Sequence, residues 1–126
     1  MTFARSLMTA SALLLALLGL PCMFAPEIVL AQLSGGSSPA ARLVVEIAGA
    51  LYLGFAILNW MARGSVAGGI YGRPVTLGNF LHFLAAGLAL IKAAPTLPFP
   101  QFIWPLAIVY ALFAIGFARA MFRGPV

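Results

Sequence analysis

One histidine, one cysteine, two glutamates and no aspartate make up the stock of acid, base and metal-binding side chains in this sequence. His82 is the first candidate for chemistry. A neutral imidazole can ligate the metal of a haem or chlorin, relay a proton or bind a polar ligand. Gly78 lies one turn before it and Ala85 and Ala86 one turn after, small enough to let a flat macrocycle approach. The alternative is structural: a neutral histidine hydrogen-bonded inside the protein to Asn79, Asn59 or a backbone carbonyl. A single histidine also cannot supply two-histidine haem ligation within one chain. No cofactor is therefore expected, and a haem or chlorin at His82 stands as the alternative.

Four further residues form a candidate ion cluster: Glu27, Arg42, Glu46 and Lys92. Arg42 and Glu46 are four apart, a spacing that brings helical side chains together. Such a cluster can handle protons or cations, or it can tie helices together by charge. Arg63 and Arg73 flank a glycine-rich segment, Gly68-Gly69-Ile70-Tyr71-Gly72, and are candidates for holding the phosphate of a lipid head group. That segment lacks the lysine of a nucleotide-binding loop. Cys22 has no partner for a disulfide and cannot build a zinc site, so it is expected to act as a small buried hydrophobe. No nucleophile, base and acid are spaced to work together, and no metal site is expected. The sequence therefore points away from an enzyme.

The elements that position these residues are apolar. Of 126 residues, 63% are hydrophobic and 7% charged, against about 25% charged in an ordinary soluble domain. The mean hydropathy is +1.10. So small a soluble fold leaves much of its surface in water and could not hide this much apolar area. Four runs are of the roughly 20 residues that span a bilayer as a helix: Ser6 to Ala25, Leu43 to Ala62, Val75 to Ala94 and Phe102 to Phe122. Breaks rich in glycine, serine and proline separate them. The first run also reads as a secretory signal, with Val29-Leu30-Ala31 as a cleavage site. Pro26-Glu27 and a further apolar stretch intervene before that site, which favours a retained helix.

The sequence thus predicts an all-α membrane protein, a single up-down bundle of four transmembrane helices. Arg5, Arg63, Arg73, Arg119 and Arg123 would share one side, leaving Arg42 and Lys92 on the other. Positive residues favour the cytoplasm, so both termini are expected there. The net charge of +5 comes from basic residues in ones and twos at the ends of apolar runs, which argues for membrane anchoring and against nucleic acid. Each helix carries small or polar residues at three-four spacing: Thr9, Ala12, Ala16 and Gly19; Glu46, Gly49, Tyr52, Ala56, Asn59 and Arg63; Gly78, His82, Ala85, Ala89 and Lys92; Ala107, Ala111, Ala114 and Ala118. These stripes are expected to face the bundle, because small residues let helices approach closely in lipid.

Pro26-Glu27, the stretch from Gly54 to Arg63 and Asn79-Phe80-Leu81-His82 give the layout a resemblance to small four-helix inner-membrane proteins of bacteria. The resemblance implies multi-pass insertion in the inner membrane and brings no catalytic residues. The expected function is non-enzymatic: association through the bilayer with copies of itself or with other membrane subunits, as an accessory or structural component. A pigment- or haem-binding subunit and a small transporter or channel component are the competing expectations.

Overall fold

The computed structural model describes residues 3–34, 38–64 and 72–123, and these are helical apart from short turns. Five helices follow in order: α1 (Phe3–Phe24), α2 (Pro26–Ser34), α3 (Pro39–Ala62), α4 (Gly72–Ala93) and α5 (Pro100–Arg123). Four of them, α1, α3, α4 and α5, are long and apolar enough to cross a membrane. The fifth, α2, is nine residues long and covers the further apolar stretch that follows the first run.

The four long helices begin a few residues before their apolar runs, because hydropathy marks a bilayer crossing rather than the start of hydrogen bonding. Ser38 caps α3: the Ala41 backbone N–H donates to its Oγ at 3.0 Å, and Pro39 follows at the first helical position. Pro26 and Pro100 likewise open α2 and α5, where the lost N–H has no intrahelical partner to miss. Pro21 lies inside α1, and the helix continues through it to stop at Phe24. Most of the glycine-rich segment before α4, including Gly68 to Tyr71, falls outside the described residues.

Contacts group the chain into two compact units, Thr9–Met61 and Met1–Met8 with Ala62–Val126. In the first, α1 runs against α3. Ser11 meets Asn59, Gly19 meets Leu53 and Cys22 meets Gly49, so residue numbers rise on one helix as they fall on the other. That register is an antiparallel hairpin. Its closeness depends on two glycines. A Cβ on Gly49 would lie 2.5 Å from the Met23 backbone nitrogen and 2.9 Å from the Cys22 carbonyl carbon. A Cβ on Gly19 would lie 2.9 Å from Leu53 Cγ. Backbone touches side chain or backbone directly, the packing that small residues allow. Cys22 is half-buried against Gly49 rather than enclosed.

In the second unit α4 packs on α5, with Phe80 beside Phe122, Phe83 beside Phe117 and Gly87 beside Tyr110 and Ala111. This too is antiparallel. The first turns of α1 join it, with Leu7 against Gly116 and the Phe3 ring under the Arg119 guanidinium at 4.6 Å.

Three of the four expected stripes face inward. Ala12 and Gly19 on α1, Gly49, Ala56 and Asn59 on α3, and Ala107 and Ala114 on α5 are buried. The α4 stripe is a correction. Its buried line is Thr76, Asn79, Phe83 and Gly87, while Ala85, Ala89 and Lys92 are exposed. At 100° per residue the two lines lie nearly half a turn apart. The reason is Phe83: its ring stacks on Phe117 at 5.6 Å and on Phe113 at 5.0 Å, and a large ring that fills a helix interface displaces the small residues from it.

Candidate functional site

His82 sits half-buried on α4, at the edge of the packed face. Its Nε2 shares a 3.0 Å hydrogen bond with the Tyr110 hydroxyl of α5. Which of the two donates depends on the imidazole tautomer. Tyr110 is 1% exposed, so its hydroxyl depends on partners within the protein. The sequence suggested Asn79, Asn59 or a carbonyl as the histidine's partner, and Tyr110 is a partner it did not name.

Aromatic rings hold this pair. The Phe83 ring meets the His82 ring edge-on at 4.9 Å and the Tyr110 ring at 4.8 Å. Both are arrangements that aromatic quadrupoles favour. Chemically the site is an imidazole–phenol pair in an apolar wall. It can bind a polar group or pass a proton between its two members. Metal coordination through Nε2 would require exchanging the Tyr110 bond.

Asn59 and Asn79 belong to different units. Asn59 is fully buried and donates from Nδ2 to Ser11 Oγ at 3.0 Å, a bond that ties α3 to α1. Asn79 is fully buried and donates to the Val75 carbonyl one turn earlier at 2.9 Å. Each bond satisfies a buried amide donor that would be costly to leave unmade in an apolar surround.

The candidate ion residues come from both units. Glu27, Arg42 and Glu46 belong to one unit and Lys92 to the other. Glu27 and Lys92 are exposed, and Arg42 and Glu46 are half-buried. Arg63 is half-buried in the turn that closes α3, and Arg73 is exposed at the start of α4. Arg73 lines a groove of about 350 Å³ with Pro74, Leu77 and Met121. A wholly apolar groove of about 320 Å³ runs along the other hairpin, among Ala12, Ala16, Leu53, Ala56 and Trp60. Among the described residues, no three histidine, cysteine or acidic side chains are grouped to hold a metal ion.

Tyr110 and Ser11 are two polar residues that the sequence reading passed over. Both left a signal. Tyr110 falls between Ala107 and Ala114 at three-four spacing, and Ser11 adjoins Ala12. A polar atom on a stripe that faces another helix is one that bonds across it.

In comparisons with known proteins, no family model, curated protein or solved structure matches the chain.

Proposed function

We propose that this is a non-enzymatic integral membrane protein that acts by association, with copies of itself or as an accessory subunit of a larger membrane complex. One observation carries the reading: α4 turns its small-residue stripe outward. Ala85 and Ala89 are exposed, and a Cβ placed on Gly78 would meet nothing within 4 Å. In lipid, large apolar side chains gain little by leaving the acyl chains, whereas small residues let a second helix come close. The candidate residues for chemistry support the same reading. Asn59 and His82 hydrogen-bond from helix to helix, and Asn79 bonds within its own. The proposed setting is the bacterial inner membrane, with four spans in up-down order and both termini cytoplasmic. The inside-positive distribution of the arginines supports that orientation.

The test is the native mass of a tagged copy extracted gently from its own membranes, together with its Ala85→Leu and Ala89→Leu variants. A defined assembly that either variant dissociates is expected. Leu84→Phe and Leu88→Phe, which change exposed positions beside the stripe, should leave it intact. Equal effects of all four, or a wild-type monomer with no co-purifying protein, would overturn the reading. Function would then lie within the chain, and His82 would be the first residue to mutate.

A further inference from the structure

We propose that the groove beside Arg73 holds one anionic phospholipid, its phosphate on the guanidinium and an acyl chain along Pro74, Leu77 and Met121. The proposal rests on four features of one unit. The groove joins a cation to apolar walls contributed by both α4 and α5, which matches an amphiphile with a charged head. Its volume of about 350 Å³ lies within the range of about 300–1,000 Å³ common for small-molecule sites. The unit also offers this cation no acidic side chain. Glu27 and Glu46, the acidic residues of the chain, both fall in the other unit, so Arg73 shares its own with no carboxylate side chain. Arg73 is the second residue of α4, where the helix dipole adds positive potential to that of the guanidinium. A phosphate satisfies both, and arginine is suited to hold one by paired hydrogen bonds.

Lipid is favoured over a soluble anion because the walls are apolar. Inorganic phosphate would use only the guanidinium, whereas a phospholipid also fills the groove.

The experiment is native mass spectrometry of the whole protein released from nanodiscs containing equal phosphatidylglycerol and phosphatidylcholine. One retained phosphatidylglycerol is expected, favoured about fivefold over phosphatidylcholine, the equivalent of about 1 kcal/mol for one arginine at a membrane surface. Arg73→Gln should abolish the preference and Arg73→Lys should keep most of it. Leu77→Trp, which fills the groove, should lower retention of both lipids. Arg42→Gln, in the other unit, should change nothing. Circular dichroism of each variant confirms that the helices persist. Equal retention of the two lipids, equal loss in Arg42→Gln and Arg73→Gln, or displacement by millimolar inorganic phosphate would overturn the assignment. The last would show an anion site without a lipid.

Discussion

Backbone meets backbone where α1 passes α3, whereas rings fill the space between α4 and α5. In the first hairpin Gly49 lies against the Cys22–Met23 peptide and Gly19 against Leu53, with one buried bond from Asn59 to Ser11. In the second, Phe83 stacks with Phe113 and Phe117, and His82 bonds to Tyr110. The difference teaches that two apolar helices can pair in an apolar solvent by either of two routes. Helices can come very close, which demands residues without side chains. They can also stand further apart and interlock rings whose geometry is favourable beyond mere area. In both cases a polar contact between the helices is added. It contributes modestly to stability, but it defines which residues lie opposite each other.

The comparison can be broken most severely at Gly49. Gly49→Ala places a methyl group against backbone that cannot rotate away, and a loss of about 3 kcal/mol is expected, at the upper end for overpacking. Unfolding in mixed detergent micelles would measure it. A variant as stable as the wild type would mean that the hairpin is not held by close approach. Phe83→Ala ranks next. It leaves a cavity among three rings, and about 2 kcal/mol should be lost, less than for a water-soluble core because lipid also solvates the ring. A cost larger than that of Gly49→Ala would reverse the proposed ranking of the hairpins.

The polar contacts sharpen the comparison at smaller scale. Tyr110→Phe and Ser11→Ala should each lose about 0.6 kcal/mol, the average for a hydrogen bond within a membrane protein and no more than about 1.7. Similar costs in the two hairpins would support equivalent roles, and a much larger cost for Tyr110→Phe would point to a special role for the His82 pair. Gly87→Ala is the smallest effect. A Cβ there would lie 3.6 Å from the Tyr110 Cβ, an ordinary contact. Near-neutral stability is expected, and strong destabilisation would show that α4 and α5 also depend on close approach.

The candidate site was legible only in part. His82, Asn59 and Asn79 stand out in the sequence because polar side chains inside apolar runs are costly and must find partners. Their partners did not stand out to the same degree. Ser11 and Tyr110 are ordinary residues until a particular residue on another helix lies opposite them. Arg73 was identifiable as a membrane-flanking cation, but its groove depends on Leu77 and Met121 meeting across two helices.

Composition and periodicity by themselves determined that four helices are long and apolar enough to cross a membrane, and roughly where they begin and end. They also determined the inward faces of α1, α3 and α5, because glycine and alanine at three-four spacing mark a face that another helix can approach. These are properties of single segments and need no partner to be read. The tertiary structure decided what depends on pairs: that Phe83 rather than Ala85 and Ala89 faces α5, that His82 meets Tyr110, and that α2 forms a separate short helix. A helix with rings on one face and small residues on the other can be packed by either. Which face wins depends on the shape of the neighbouring helix, and no single segment encodes that shape.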